Sequence, residues 1–171
     1  EKGPELMLDV AERFPNRPVS VCGDGPMREE LTSAATARSL PNVAFCGHVP
    51  HEELSAHYAA AAVVVMPSRC FENSPHSMLE GMAHRRCVVA PDHGPIGEWV
   101  IDGRTGRLFR PGDAADLIRV VGEVLADPAA ARSMARAGER LVRRRHDPTA
   151  VLDRIERLYA EMAACEPSGG G

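Results

Sequence analysis

A chain of 171 residues, 44% hydrophobic and 4% aromatic, is the size of one domain, and its core must be built from Val, Leu, Ala and Met. A net charge of −4 gives no electrostatic reason to expect nucleic acid. No apolar run reaches the length of a membrane span, and none has the form of a signal peptide. Lys2 is the sole lysine, a bias toward arginine that fits a GC-rich bacterial genome. The five cysteines, Cys22, Cys46, Cys70, Cys87 and Cys165, are odd in number and have no C-x-x-C spacing. They indicate neither a zinc site nor a disulfide framework, and a reducing cytoplasm is the natural reading. His48, His51, His76, His84 and His93 lie near loops or helix ends without ligand spacing, so no metal is expected.

In chain order, Glu1-Lys2-Gly3 reads as the end of a loop. Pro4 to Phe14 reads as a helix with Leu6, Val10 and Phe14 at helical spacing. Pro18–Cys22 is a strand, and Gly23-Asp24-Gly25-Pro26 is its exit turn, where glycine permits unusual backbone angles. That turn has the spacing of neither a P-loop nor a dinucleotide fingerprint. Met27 to Ser39 is helical. Asn42–Cys46 is a second strand that ends at Gly47-His48-Val49-Pro50. His51 opens a helix running to about Ala61.

Val63–Met66 is the next strand. Ser74 reads as the cap of the following helix and Pro75 as its first residue, with Leu79, Met82 and Ala83 on the core face. Cys87–Ala90 is again a strand, so this stretch is a βαβ unit. Glu98-Trp99-Val100-Ile101 reads as a short helix, Asp102–Gly106 as a turn and Arg107–Phe109 as the last strand. Pro111-Gly112-Asp113 caps a helix from Ala114 to Ala126. Two more helices follow, Pro128 to Arg145 and Pro148 to Ala164. The run Arg143-Arg144-Arg145 suits a helix C-terminus and reads as a solvated end. Val151, Leu152, Ile155, Leu158, Tyr159 and Met162 share helical spacing, so one face of the last helix is expected to pack. The domain is drawn as 1–165, with 166–171 a flexible tail.

Two acids punctuate the βαβ unit. Glu72 falls in the loop past the strand's carboxyl end, and Glu80 falls on the His76–Glu80–His84 stripe of the helix. Ligands of open parallel sheets bind outside the carboxyl ends of the strands. Free N–H groups at a helix start favour an anion, whereas an ionised carboxylate only accepts hydrogen bonds and so suits hydroxyls. The pair suggests a ligand with both phosphate and sugar hydroxyls.

This element resembles the Glu-x7-Glu motif of the retaining glycosyltransferases of family 4, which have the two-domain GT-B architecture. The resemblance extends in order through E-K-G at Glu1–Gly3, G-D-G-P at Gly23–Pro26, F-C-G-H-V-P at Phe45–Pro50 and Y-A-A-A at Tyr58–Ala61. It continues through P-S-R at Pro67–Arg69, G-P-I-G-E at Gly94–Glu98 and D-G-R-T-G at Asp102–Gly106. It implies a Rossmann-like, doubly wound α/β sheet with helices on both faces, the carboxyl-terminal, donor-binding half of such an enzyme. It implies transfer of a sugar from a UDP- or GDP-linked donor to an acceptor it does not name, with no cofactor and usually no metal.

By the same resemblance Glu72 is catalytic and accepts hydrogen bonds from donor-sugar hydroxyls, while Glu80 holds the ribose hydroxyls. The backbone around Gly47, His48 and Val49 lies near the base. The amides of Asn73, Ser74, His76 and Ser77 face the diphosphate, as does Lys2. Substrate-assisted front-face transfer is the favoured mechanism, in which oriented donors neutralise the leaving diphosphate.

The chain departs from the family in three ways. Asn73-Ser74-Pro75 stands where Gly-Phe-Gly or similar is commoner, and Pro75 deletes one donor. Pro95 stands where an N–H could donate. The arginine loop and the amino-terminal domain, the missing partner half, have no counterpart here. The chain alone is therefore expected to be inactive and unstable. The full-length enzyme has room for peripheral membrane association, and the terminal helix of such enzymes often crosses to the other domain. In the strand order 3-2-1-4-5-6 the five strands match the second to the sixth, leaving a gap between Pro18–Cys22 and Val63–Met66. A nucleotide-sugar epimerase of the same architecture and a non-catalytic nucleotide-binding scaffold are the alternatives.

Overall fold

The computed structural model describes residues 1–72 and 75–164. Five parallel strands alternate with helices. They are β1 (Val19–Cys22), β2 (Val43–Gly47), β3 (Val63–Val65), β4 (Cys87–Pro91) and β5 (Arg107–Phe109). The helices are α1 (Leu6–Arg13), α2 (Arg28–Ala37), α3 (His51–Ala60), α4 (His76–Ala83), α5 (Ala114–Ala126), α6 (Pro128–Arg145) and α7 (Pro148–Ala164). Each expected strand is present, with ends differing by one residue at most of them. The expected helix at Glu98–Ile101 is instead a 3-10 turn at Gly94–Glu98. Gly94 enters it at φ +56°, and the following Pro95 fits its first turn.

The strands form two ladders. β1 pairs with β2, and β3-β4-β5 form a second sheet; among the described residues no ladder joins β1 to β3. That is the interruption the strand order predicts. β4 is central in its sheet and buried along its whole length. Its side chains alternate between two cores, as the period of a strand requires. Cys87 and Val89 join Leu6, Val10, Phe109, Leu117 and Val121 on one face. Val88 and Ala90 join Met78, Met82, Ile96, Val100 and Val142 on the other. Helices thus cover both faces of this sheet.

A third, smaller core lies at β1, where Leu8, Ala11, Val19, Leu31, Ala35 and Leu40 meet. α1 serves two cores, because Leu6 and Val10 face the first and Leu8 and Ala11 the third. It is the element that spans both ladders.

The cap of α5 expected from sequence is present, and caps also close other helix ends. Asp113 accepts from Asp116 N at 2.9 Å, and Asp127 accepts from Ala129 N and Ala130 N. α4 ends with Arg86 N donating to Gly81 O at 2.9 Å and Arg85 at φ +57°, a Schellman-type close. Arg85 then donates to the buried Glu139 at 2.6 Å. The arginine run at the end of α6 is only partly a solvated end. Arg143 also pairs with Glu139 at 2.9 Å, and the Arg145 guanidinium stacks on Trp99.

Two further expectations are corrected. The buried face of α4 is Met78–Gly81–Met82, and Ala83 is exposed. The reason is that Gly81 lies directly on Val64 of β3, where a Cβ would meet side-chain carbons at 3.1 Å. The apolar face of α7 does not pack either. Leu152, Leu158, Tyr159 and Met162 are all more than half exposed. Asp147 accepts from Thr149 N at 2.9 Å and starts a new helix whose apolar face has no cover among the described residues. Residues 165–171, including Cys165 and the expected tail, lie outside the described residues.

Candidate donor site at the carboxyl ends of the strands

The loop after β3 is held by its neighbours. Gly3, at φ +64°, lies against Pro67, and a Cβ there would sit 2.3 Å from the Pro67 carbonyl oxygen. Only glycine admits that approach. Arg69 N donates to Glu1 O at 2.8 Å and Arg69 pairs with Glu5 at 2.5 Å. These contacts bring Lys2 over the loop, where its Nζ lies 2.9 Å from Glu72 Oε2. The structure therefore brings together two of the residues singled out from sequence.

Glu72 is mostly buried, and Cys70 Sγ donates to its Oε1 at 3.7 Å. Desolvation alone would raise its pKa. Hydrogen bonds from Ser68 and Lys2 outweigh that and hold it below the usual carboxylate range. Lys2 is raised in turn, first by the hydrogen bond to Glu72. Both groups are charged at neutral pH.

The helix α4 follows, one residue later than expected. Pro75 is its cap rather than its first residue, because its ψ of 120° is extended. Asn73 and Ser74 lie outside the described residues. The first free amides of α4 are then those of His76 and Ser77, both exposed residues at the helix start. Glu80 is one turn further. Its Oε2 accepts from the Tyr58 hydroxyl at 2.9 Å, and His51 Nδ1 lies 3.6 Å from its Oε1. The Tyr58 ring stacks on His84 with centroids 5.0 Å apart. Desolvation, then the bond to Glu80, raises the Tyr58 pKa, so the phenol stays a donor.

Tyr58 was quoted above only as part of a string, without a role. It lies 22 residues from Glu80 in sequence, and no spacing rule connects α3 to α4. The Tyr58 hydroxyl also lies 3.4 Å from the Ser77 carbonyl oxygen.

Gly47, at φ +69°, closes β2, with His48 exposed and Val49 half-buried behind it. On the far side of the loop, His93 Nε2 lies 3.3 Å from Ser68 O. Its Nδ1 is buried and has no partner among the described residues. The Phe71 and His93 rings are tilted at 5.0 Å, although Phe71 itself is 80% exposed. A groove of about 680 Å³ between Thr105 and α6, lined by Arg104, Arg140 and Arg144 among others, shares no lining residue with the two acids.

Sequence spacing also missed a second cluster. Cys22, Cys46 and His57 offer ligand atoms that all lie within 4.8 Å of one another. They come from β1, β2 and α3 and are separated by 24 and 11 residues in the chain, which no C-x-x-C search detects.

The chain matches the sequence profile of the family described as Glycosyl transferases group 1 over residues 1–141. It is 33% identical over 148 residues to a GDP-mannose-dependent alpha-(1-6)-phosphatidylinositol monomannoside mannosyltransferase of Mycolicibacterium smegmatis, covering 80% of this chain and 39% of that protein. Its fold is similar to that of sucrose-phosphate synthase from Thermosynechococcus elongatus, with a TM-score of 0.85 at 29% identity over 96% of this chain and 43% of the other. It is also similar to Anabaena HepE, solved in complex with UDP, with a TM-score of 0.85 at 23% identity over 94% of this chain and 45% of the other. The chain spans less than half the length of these relatives. It belongs to the glycosyl transferases group 1 family, retaining enzymes of GT-B architecture, and has the fold of their carboxyl-terminal domain.

Proposed function

We propose that this chain is the donor-binding half of a longer enzyme that transfers a hexosyl group, with retention, from a UDP- or GDP-linked sugar. The observation that carries the reading is the pair of acids flanking the start of α4, each held by a donor from a distant element. Glu72 is paired with Lys2, and Glu80 with Tyr58. A fixed, ionised carboxylate accepts hydrogen bonds and gives none, so both acids suit hydroxyls.

In this reading Glu80 takes the ribose hydroxyls and Glu72 the hydroxyls of the donor sugar. Lys2 can bridge Glu72 and a phosphate, because an ammonium has three donors. The amides of His76 and Ser77 add dipoles that stabilise the leaving diphosphate, joined by Asn73 and Ser74 as further proposed contacts. Gly47, His48 and Val49 line the base. The unpartnered Nδ1 of His93 supports a polar ligand at the loop. The relatives named above include a GDP-mannose-dependent enzyme and a protein solved with UDP, in keeping with either base. The free thiols at Cys22, Cys46, Cys70 and Cys87 fit a reducing, cytoplasmic setting.

Calorimetry on the full-length protein tests the assignment. Glu80→Ala weakens nucleoside diphosphate binding by roughly 1–3 kcal/mol, the cost of unpairing a charged hydrogen bond. Glu72→Ala lowers turnover more than affinity. Unchanged affinity in the first variant removes Glu80 from the site, and the opposite pattern reverses the two roles. A panel of nucleotide sugars separates transfer from interconversion, the outcome an epimerase gives. The 171-residue chain by itself transfers no sugar.

A further inference from the structure

We infer that Cys22, Cys46 and His57 form a binding site for a thiophilic divalent cation of the Zn²⁺ type, tying β1, β2 and α3 together beside the donor site. The inference begins with the β1–β2 ladder. The register runs Val19↔Val43, Ser20↔Ala44 and Val21↔Phe45, then shifts so that Cys22 lies opposite Gly47. Cys46 is the extra residue of that irregularity. An extra residue in one strand turns its side chain out of the regular alternation. Gly23 N donates to Gly47 O at 2.7 Å and closes the ladder just beyond.

His57 comes from above. It sits one residue before Tyr58 on α3, on the last full turn of that helix. Two sulfurs and one imidazole nitrogen then lie within 4.8 Å of one another. Tetrahedral Zn²⁺, with bonds of about 2.3 Å to sulfur and about 2.0 Å to nitrogen, sets its ligand atoms roughly 3.5–3.8 Å apart. The three groups therefore need to close by about 1.3 Å at most, within the reach of small side-chain rotations. Two thiolates and one imidazole are a soft donor set, which selects Zn²⁺ over Mg²⁺ or Ca²⁺. Two thiolates also cancel the charge of the ion.

The fold has a use for such a tie. α3 buries none of its residues fully, so little apolar packing fixes it. Yet α3 carries Tyr58, which holds Glu80. A cation shared between α3 and the strand ends fixes that helix where packing does not. Desolvation, then the Cys46 sulfur beside it, pushes the Cys22 thiol up to about 11, and binding releases that proton.

The test uses the full-length protein, reduced and freed of metal, with Co²⁺ as the spectroscopic probe and Zn²⁺ as competitor. One equivalent of Co²⁺ should give thiolate-to-metal charge-transfer absorption that Zn²⁺ abolishes. Cys22→Ser and Cys46→Ser should each weaken binding at least tenfold and reduce that absorption, His57→Gln should weaken binding at least tenfold while keeping it, and Cys70→Ser should change neither. Circular dichroism checks that each variant folds. A variant-free arm maps cysteine alkylation by mass spectrometry, with Zn²⁺ protecting Cys22 and Cys46 alone. No charge-transfer band, a band left undiminished by loss of either cysteine, or a Cys22–Cys46 disulfide in the protein as isolated overturns the site. Each readout is independent of nucleotide binding, so failure here leaves the donor-site reading standing, and the reverse holds.

Discussion

The β3–β4–β5 sheet and the β1–β2 pair are made of the same strand–helix units but enclosed to very different degrees. β4 is buried from Cys87 to Pro91, between two cores and four helices. In β1 only Val19 is buried, and β2 buries only Gly47. The first region is held by two ladders and by packing on both faces. The second is held by one ladder, a small core and the shared helix α1. A sheet cut into unequal parts therefore divides its work. The large part holds most of the buried core, and the small part carries Gly47 at its edge, with Tyr58 on the helix that follows.

The strongest way to break the comparison is to fill the interruption between β1 and β3. Edge groups left unpaired and buried cost about 1–3 kcal/mol each, against a whole-domain stability of about 5–15 kcal/mol. On the proposal that the longer protein supplies a strand there, a form extended by roughly ten to twenty residues, one strand and its loop, should melt well above the 171-residue chain. It should also elute as a monomer where the shorter chain associates through open edges. Equal melting temperatures and equal monomeric elution would show that no strand belongs in the gap.

Core truncation gives the next largest effect. Met82, fully buried beneath α6, should cost about 2–5 kcal/mol when changed to Ala. Val21→Ala, at a half-buried position of β1, should cost less than half as much in the same denaturant titration. Similar losses at the two positions would mean that the β1–β2 pair is as integral to the fold as β4.

Acid sharpens the same contrast at smaller amplitude. A backbone hydrogen bond from Arg110, then Arg119, holds Asp116 below the usual carboxylate range. A depressed folded-state pKa contributes stability that is complete above the unfolded value, about 3.9. That contribution is lost as pH falls through the folded value. Melting temperature should therefore drop in the acid range with a slope that Asp116→Asn reduces. An unchanged slope would assign the acid sensitivity to other carboxylates.

Much of this was legible in sequence because it is local. Strands appear as apolar runs, and Asp113 announces its helix as a cap. The interruption of the sheet was legible too, because the resemblance matches the five strands to the second to sixth of the order 3-2-1-4-5-6. The larger exceptions are tertiary. Gly81 turns α4 because it must approach Val64, and no periodicity of eight residues encodes that contact. α7 has a helical apolar stripe, but a stripe states only that a face is apolar, not that anything covers it. At the site, Glu72 and Lys2 were both legible, yet their pairing depends on Gly3 pressing against Pro67. Tyr58 with Glu80, and Cys22 with Cys46 and His57, depend on where α3 lands.

The pairing of Lys2 with Glu72 gives the chain a built-in chemical reporter. Lys2 is its sole lysine, so an amine-acylating reagent meets only one side chain besides the N-terminus. Acylation consumes the uncharged amine, and Glu72 raises the Lys2 pKa, which depletes that form. Any molecule that draws Glu72 away, or shields Lys2 behind a phosphate, changes the labelling rate in opposite directions. The mass of a single amino-terminal peptide then records which of the two has occurred.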